Sequence, residues 1–267
     1  MFWNRPSIKV NGLIQKVYPQ GRVNPNLLQF FENRRLNDVT PLVIESFKEH
    51  RLKTVSNASV NRELAALKHC FNKAILWRLV RENPVKGVQF LKETPKDRYL
   101  TYSEEALFVS EVPDWLKPII LIATNTGLRL GELTSLTWSN VDLNQKVLTV
   151  MKSKNGLPRV IPLNGIAYQV LNSVRRQDNQ ERIFPLSNSW ISHSFKRICR
   201  KLGLTDITFH SLRHTFGSRL AQHSINVFAI QRLMGHQSVV MSARYSHHDI
   251  TSLRSSVEQL INVNWPT

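Results

Sequence analysis

Hydrophobic residues recur every three or four positions through most of the chain, which is the spacing of amphipathic helices. In the first half we expect helices from Asn26, from Pro41, where proline suits an early helical position, and from Ser59, the last ending before Asn83-Pro84. The apolar residues of the third helix are Val60, Leu64, Leu67, Phe71 and Ile75. The second half contains four further segments of this kind, at 191–202, 211–222, 227–234 and 250–261.

One segment of the second half alternates polar and apolar residues in the manner of β-strands. Residues 146–163 carry this alternation on both sides of Asn155-Gly156, a dipeptide that accepts the positive φ angles of a tight turn. A β-hairpin is therefore predicted here, with Lys154 at its tip.

A polar stretch divides the chain into two predicted domains. Residues 93–98 are charged, contain a proline and lack an apolar period, as expected of a linker. Residues 25–92 before it form a helical domain. Residues 99–267 form a second domain, which opens at Thr101-x-x-Glu104, the spacing of a helix capping box. The predicted fold class is mainly α with a small β-hairpin or sheet, in two domains.

The charge of the chain indicates the class of its partner. Lysine and arginine number 36 against 19 aspartate and glutamate, which gives a formal net charge of +17. Such a charge repels itself in a compact protein unless a polyanion neutralises it, and nucleic acid is the commonest one. A generally adhesive basic protein is the alternative, but six tryptophans and twelve phenylalanines are typical of a folded globule.

Several other classes of protein are disfavoured. The two cysteines, Cys70 and Cys199, exclude a disulfide framework and a four-cysteine zinc site, and suit a reducing compartment. No stretch approaches the roughly 20 apolar residues that span a bilayer. The first residues lack the order of a secretory signal. We therefore expect a cytoplasmic, nucleoid-associated protein without membrane contact.

The last quarter of the chain concentrates residues suited to phosphate chemistry. His210 and Arg213 are three apart at a predicted helix start, so they share one face where the helix N-terminus favours an anion. A guanidinium group is a planar fork that matches two phosphate oxygens. The pattern is short, and a surface arginine beside a capping histidine is the alternative explanation.

Tyr245, nine residues after His236, is a candidate nucleophile. A phenol has a pKa of about 10, so attack on a phosphodiester requires a base or nearby cations. His210, Arg213, His236 and Arg129 are residues of that kind. An isolated tyrosine is more often a packing residue, and no periodicity demands burial at this position.

Arg129 and Glu132 form a second candidate pair, in a segment where Gly127 permits a turn before a helix restarts. Glu132 lies one helical turn beyond Arg129 and could hold its guanidinium by a bidentate ion pair. An ordinary helix salt bridge, worth under ~1 kcal/mol, is the simpler alternative.

His210 and His214 have the spacing of half a zinc site. Arg213 stands between them, and a fixed cation disfavours a metal, while the glutamate of a His-Glu-x-x-His motif is missing. We therefore expect no metal, and a buried, hydrogen-bonded structural role for His214.

These residues belong to a series of motifs that occur in a fixed order. The series comprises Thr126-Gly127-Leu128-Arg129-x-x-Glu132-Leu133, Lys154 ahead of Arg159 and Pro162, His210-x-Leu212-Arg213-His214-Thr215-Phe216, Leu233-Met234-Gly235-His236 and Tyr245-Ser246-His247. Together they resemble the tyrosine recombinase (phage integrase) family, over nearly the whole chain from about Asn26. The full series is far more specific than any one motif.

The resemblance implies a helical core-binding domain of the SAM-like type followed by a tyrosine-recombinase catalytic domain, acting without metal or cofactor. The implied catalytic set is Arg129, Lys154, His210, Arg213, His236 and the nucleophile Tyr245, supported by Glu132. Tyr245 would attack the phosphate to form a 3′-phosphotyrosyl link. Lys154 would protonate the leaving 5′-oxygen, and His210 would accept the tyrosine proton.

Double-stranded DNA is the implied partner, bound by dimers or tetramers of the chain, with a host DNA-bending protein or an excisionase as further partners. The candidate contacts to the DNA backbone lie on the third helix and are Arg62, Lys68, Lys73 and Arg78. A solvated charged face explains these four residues equally well. The helix expected at 250–261 could pack on a neighbouring protomer or on its own domain.

Three functions follow as hypotheses. The first is a site-specific recombinase that integrates or excises a prophage or related mobile element. The second is a catalytically idle, sequence-specific DNA-binding protein, either a decayed integrase or a regulator. The third is a type IB topoisomerase, which shares the chemistry but relaxes DNA without a partner site.

The first 24 residues depart from the family pattern, which has a full helix ahead of Phe30. Here we find no helical period, and Asn11-Gly12 between apolar residues predicts a small hairpin. We expect a short separate segment, which weakly resembles a remnant of the arm-binding domain found in many prophage integrases.

Overall fold

The structure is a computed structural model that describes residues 8–19, 25–93, 98–151, 158–177, 181–223 and 225–245. It divides into two compact units, Met1–Pro95 and Lys96–Thr267. Both are mainly helical, and a three-stranded antiparallel sheet lies in the second. Among the described residues, no helix is long and apolar enough to cross a membrane.

The first unit is built from helices around a core of its own. Its helices are α1 (Val10–Val17), α2 (Pro25–Phe30), α3 (Pro41–Leu52) and α4 (Asn57–Leu76), with 3-10 turns at Leu36–Asp38 and Pro84–Gly87. The helix predicted from Pro41 is confirmed, and the Thr40 hydroxyl caps it by accepting from the backbone N–H of Val43 at 3.4 Å. Phe31, Phe47 and Phe71 are fully buried at the centre.

The hairpin predicted at Asn11-Gly12 is wrong, because residues 10–17 form α1. Val10, Leu13 and Ile14 are spaced by three and four and are fully buried in the same core as α4. Burial of this face outweighs the preference of Asn-Gly for a turn. The segment therefore packs into the first unit and is not a separate hairpin.

The second unit contains the remaining helices and the sheet. In chain order it comprises α5 (Tyr102–Glu111), α6 (Lys117–Thr126), α7 (Leu130–Thr134), β1 (Val141–Asp142), β2 (Val147–Val150), β3 (Arg159–Pro162), α8 (Gly165–Gln177), α9 (Asn188–Lys201), α10 (Phe209–Gln222), α11 (Val227–Met234) and α12 (Val239–Ala243). The capping box at Thr101 and Glu104 is confirmed, with both reciprocal hydrogen bonds formed. α6 lies at the centre and packs against α8 and α10.

The predicted β-hairpin is confirmed in its two strands. β2 and β3 pair antiparallel, with Leu148 opposite Ile161 and both side chains buried. The tip, with Lys154 and Asn155-Gly156, lies outside the described residues, as does the helix expected at 250–261. β1, which adds a third strand beside β2, was not predicted, since two residues are too short to show alternation.

Candidate active site

The last turn of α6 and the start of α7 place Arg129. Gly127 ends α6 in the left-handed conformation, at φ +65, and a β-carbon there would stand 2.4 Å from the ring of Phe216. Only glycine satisfies both conditions without displacing α10. The chain then turns directly into α7, with Arg129 at its N-cap.

Arg129 shares the buried carboxylate of Glu132 with a second arginine. Glu132 accepts from the Arg129 backbone N–H and Nη1, both at 2.9 Å. Its bidentate partner is Arg159, whose Nη1 and Nη2 lie 3.1 and 2.8 Å from the two oxygens. The ion pair predicted between Arg129 and Glu132 is present, but it joins a single guanidinium nitrogen, and the bidentate geometry belongs to Arg159. Sequence reasoning missed Arg159, which lies 27 residues further along the chain on β3.

Glu132 is strongly perturbed by this setting. Burial alone raises the pKa of a carboxyl, but hydrogen bonds from Arg159 and from the Arg129 backbone, with the charges of both arginines, outweigh it and lower the pKa of Glu132 to about 2. The carboxylate is thus ionised at neutral pH. It holds two cations that would otherwise repel each other.

Arg213 lies in the first turns of α10 and contacts the ends of both α6 and α11. Its guanidinium is 2% exposed, and it donates to the Gly127 carbonyl at 2.6 Å and to the Met234 carbonyl. Desolvation first, and then the charge of Arg129, lower the pKa of Arg213 to about 9, while Glu132 opposes them. Arg213 therefore remains charged at neutral pH.

The C-terminus of α11 is where the three arginines meet. Arg159 Nε donates to the carbonyl of Leu233 at 2.9 Å, Arg213 to that of Met234, and Arg129 Nη2 to that of Gly235 at 3.4 Å. The last carbonyls of a helix lack partners within the helix and carry its negative partial charge. Three guanidinium groups against one carboxylate make this a site for an anion.

Tyr245 follows α12 and is buried. It is 6% exposed and packs with Ile230 and Met234, although no periodicity in the sequence predicted this burial. Its hydroxyl lies 2.8 Å from Nδ1 of His214 on α10. A β-carbon at Gly217, one turn beyond His214, would stand 2.9 Å from two atoms of the tyrosine ring.

Three histidines surround this tyrosine and the arginines. His236 is stacked against the Tyr245 ring at 6.4 Å between centroids, and its Nδ1 lies 2.7 Å from the Ser242 hydroxyl. His210 is near the surface, with its ring edge-to-face against that of His214 at 4.8 Å. His214 was predicted to be buried and hydrogen-bonded. It is half-buried, and its hydrogen-bond partner is Tyr245.

Two of these histidines are held neutral at neutral pH. Desolvation, followed by the charges of Arg213 and Arg129, lowers the pKa of His236 to about 4. Desolvation, followed by the charges of His214 and Arg213, lowers that of His210 to about 4 as well, although part of its side chain reaches solvent. Neutral imidazoles can donate or accept a hydrogen bond without adding charge.

The sequence profile of the phage integrase family matches residues 89–251 of this chain. The chain belongs to this family of tyrosine recombinases. The match spans all the residues assembled above, from Arg129 to Tyr245, and includes Lys154. No group of three or more histidine, cysteine, aspartate or glutamate side chains that could hold a metal ion occurs in the part of the chain that the structure describes.

Two of the similar proteins are named as a DNA recombinase and an integrase. A shufflon-specific DNA recombinase of Escherichia coli is 31% identical over 228 residues, which cover 80% of this chain and 59% of that protein. The ICEBs1 integrase of Bacillus subtilis is 26% identical over 257 residues, covering 81% of this chain and 69% of that protein. The chain thus spans about three fifths of the length of the shufflon recombinase.

Solved structures of integrases have the same fold. The Tn1549 transposon integrase in complex with a circular-intermediate DNA matches with a TM-score of 0.78 at 24% identity, over 95% of this chain and 100% of that one. A lambda integrase tetramer bound to a Holliday junction matches with a TM-score of 0.74 at 22% identity, over 93% of this chain and 83% of that one. The predicted mainly helical recombinase fold is confirmed.

The four residues predicted to contact DNA from the first unit differ in burial and in the element that carries them. Arg62 is exposed on α4, and Lys68 and Lys73 lie on the same helix, with Lys68 Nζ 5.6 Å from the centre of the Phe90 ring. Arg78 was expected on this helix, which is wrong: α4 ends at Leu76, and Arg78 follows in a left-handed conformation at φ +57. The longer apolar pattern continues into a turn, so periodicity overestimated the helix.

Proposed function

We propose that this chain is an active site-specific DNA recombinase that integrates or excises a prophage or a related mobile element. The observation that carries the proposal is the placement of Tyr245. Its hydroxyl is in hydrogen-bond contact with a histidine of α10, the helix that also carries the buried cation Arg213. A phenol so placed has the base and the charge that it needs to attack a phosphodiester.

Arg129, Arg213 and His236 hold the scissile phosphate in this proposal. The two arginines converge on the carbonyls that end α11, and Glu132 holds Arg129 in place. Charge that gathers on the non-bridging oxygens during phosphoryl transfer is stabilised most by such fixed cations. His236, neutral and bonded to Ser242, donates its remaining ring N–H toward the phosphate.

Tyr245 attacks phosphorus and displaces the 5′-oxygen, which leaves a 3′-phosphotyrosyl link and a free 5′-hydroxyl. Lys154 protonates that oxygen as a general acid, delivered by the hairpin whose strands are β2 and β3. The covalent link conserves the phosphodiester energy, so neither ATP nor a divalent metal is required. His210 packs edge-to-face against His214, with 4.8 Å between the ring centroids.

The partner in this proposal is double-stranded DNA, on which protomers assemble as dimers and tetramers, with a host bending protein or an excisionase as accessory factors. Residues 25–92 act as the core DNA-binding domain, joined by a linker at 93–98 to a catalytic domain at 99–267. Two similar lambda integrase structures, a dimer bound to a core site and a tetramer bound to a Holliday junction, support this assembly.

Covalent capture of DNA tests the proposal. The purified protein is incubated in EDTA with nicked duplexes tiled across the DNA that flanks its own gene, followed by native and denaturing gels. We expect a denaturant-resistant adduct that Tyr245→Phe abolishes. Tyr102→Phe is the matched control, because Tyr102 is 63% exposed and lies outside the site.

Other outcomes would favour other functions. Native gel shifts without any adduct would identify an idle DNA-binding protein. Relaxation of an arbitrary supercoiled plasmid without a partner site would identify a type IB topoisomerase. An adduct that persists in Tyr245→Phe would contradict the proposal outright.

A further inference from the structure

We propose that His214 is the base that takes the proton from the Tyr245 hydroxyl during strand cleavage. The inference rests on the proposed function, because a proton acceptor is needed only if Tyr245 attacks DNA. The family resemblance gave this role to His210. The histidine in contact with the hydroxyl lies one turn further along α10.

The contact has the geometry that proton transfer requires. Nδ1 of His214 lies 2.8 Å from the Tyr245 oxygen, within the usual range of a hydrogen bond. A general base must stand within such reach of the proton it removes. The ring centroids are 5.9 Å apart and the planes are tilted by 52°, so the imidazole meets the hydroxyl by its edge and does not stack on the ring.

α10 is shaped to hold the tyrosine in this position. Gly217 lies in the helix interior, where glycine costs about 1 kcal/mol relative to alanine. A β-carbon at Gly217 would stand 2.9 Å from Cε2 and Cζ of Tyr245, closer than such atoms can approach. The ring therefore occupies the space that the glycine leaves open, and its hydroxyl reaches His214 one turn away.

The other two histidines have different relations to the phenol. The His236 ring is nearly parallel to the Tyr245 ring, with 14° between the planes and 6.4 Å between the centroids, and its Nδ1 is bonded to Ser242. His210 packs edge-to-face on His214 and restrains its orientation. The buried charge of Arg213 stabilises the negative charge that develops on the tyrosine oxygen.

The step balances in protons and charge. The Tyr245 O–H proton passes to Nδ1 of His214 as the oxygen attacks phosphorus, and imidazole becomes imidazolium. The bond from phosphorus to the 5′-oxygen breaks, and that oxygen takes the proton of Lys154. In the rejoining step a 5′-hydroxyl gives its proton to the neutral Lys154 as its oxygen attacks the phosphotyrosine, and His214 returns its proton to the departing phenolate.

The test separates proton transfer from positioning. His214→Asn places an amide oxygen near the position of Nδ1, so it accepts the hydrogen bond but cannot keep the proton. His214→Phe fills the half-buried site without a polar group, and urea denaturation establishes that both variants fold. On the nicked duplex that gives the wild-type adduct, we expect both variants to form it about 10²- to 10⁴-fold more slowly.

Rescue by a more acidic tyrosine identifies the residue that accepts the Tyr245 proton. A more acidic fluorotyrosine incorporated at position 245 needs less help to lose its proton, so we expect it to restore most of the rate in His214→Asn. It should restore little in Arg129→Gln, where the missing cation acts on the phosphate and not on the phenol.

Each contrary outcome points to a different error. The assignment to His214 is overturned if His214→Asn forms the adduct at the wild-type rate. It is also overturned if the fluorotyrosine restores the rate of His210→Asn and not that of His214→Asn. Either result leaves the proposed recombinase function standing. Wild-type protein that gives no adduct on any duplex overturns the proposed function itself. The two failures are therefore distinguishable in the same set of gels.

Discussion

Glu132 is the buried carboxylate around which the cations of the site are arranged. Its folded pKa of about 2 lies below the ordinary value of about 4.3 for a glutamate in an unfolded chain. A depressed pKa stabilises the fold at pH values above the unfolded pKa. That contribution is lost as the pH falls through the interval from about 4.3 to about 2.

Substituting Arg159 by methionine tests this arrangement. We expect the free energy of unfolding at pH 7 to fall by about 3 kcal/mol, at the lower end of the range for breaking a buried pair, because Arg129 still holds Glu132. The deficit relative to wild type should shrink as the pH falls below about 4.3, since the stranded carboxylate then protonates. Urea denaturation at a series of pH values measures both effects.

The double variant Arg159→Met with Glu132→Gln is the control for that measurement. It removes the stranded charge, so we expect it to be more stable at pH 7 than the single arginine variant. A deficit that stays constant from pH 7 to pH 3 would contradict the ionised Glu132.

Gly217→Ala tests whether α10 positions Tyr245. Alanine there gains helix propensity worth about 1 kcal/mol, but its β-carbon would stand 2.8 Å from Sδ of Met234 and 2.9 Å from the Tyr245 ring, so both side chains must move, at a typical cost of about 1–3 kcal/mol. Misplacement of a reacting group by about 1 Å can cost roughly 100-fold in rate. We therefore expect adduct formation by Gly217→Ala to slow by roughly that factor, measured in a single turnover.

Gly12→Ala is the matched control, because Gly12 lies in the interior of α1 and a β-carbon there meets nothing within 4 Å. It should be more stable than wild type by about 1 kcal/mol and form the adduct at an unchanged rate. Equal rates for both alanine variants would rule out the docking of Tyr245 on α10.

For the individual residues of the site, the sequence predicted which residues are present better than it predicted their contacts. Arg129, Arg213, His236 and Tyr245 were found from motif order, and the structure brings them together. Arg159 and the hydrogen bond between His214 and Tyr245 were missed, because each contact joins residues 27 or more positions apart. Nothing in local spacing indicates a partner at that distance.

The C-terminus of α11 is the element that organises the site. Its three final carbonyls receive three different arginines, and Gly235 makes this possible by ending the helix at φ +62. A β-carbon at Gly235 would stand 2.9 Å from Nη1 of Arg159. This glycine therefore serves both the turn of the backbone and the close approach of a guanidinium.

Comparison with Gly203 separates the close approach of the Arg159 guanidinium from the effect of the positive φ angle. Gly203 also has a positive φ, at +73, but a β-carbon there meets nothing within 4 Å. We expect Gly203→Ala to lose about 1 kcal/mol of stability from backbone strain alone. Gly235→Ala should lose about 1–3 kcal/mol more, because Arg159 must move.

Urea denaturation of the two variants measures the difference, and adduct formation should fall in Gly235→Ala only. Equal losses of stability in both variants would show that Arg159 adapts to a side chain at position 235 without cost.

An Asn-Gly dipeptide predicted a hairpin in two segments, and the structure has paired strands around only one of them. The strands that flank Asn155-Gly156 pair as predicted, because buried and more exposed positions alternate along both, with Leu148 and Ile161 buried across from each other. Asn11-Gly12 lies inside α1, where the neighbouring apolar residues are spaced by three and four. A turn dipeptide therefore predicts a hairpin only where the flanking residues alternate, since burial of the flanking face determines the backbone.

The net charge of +17 governs how the whole molecule meets DNA in the proposed function. Each phosphate that a basic side chain neutralises releases a counterion, so log K falls with log salt by about 0.9 for every such contact. We expect binding to the adduct-forming duplex to weaken steeply with salt. Tyr245→Phe should show the same slope, because it removes no charge.

Arg62 provides the test of a specific contact at this scale. If Arg62, exposed on α4, lies against a phosphate, Arg62→Ala should reduce the salt slope by about 1 and weaken binding to all sequences alike. Lys201→Ala is the control, because Lys201 Nζ is paired with Glu111 at 2.8 Å. Titrations at several salt concentrations measure the slopes. Unchanged slopes for both variants would assign Arg62 to a solvated face. The net charge of the first unit, and not a contact by Arg62, would then account for its attraction to DNA.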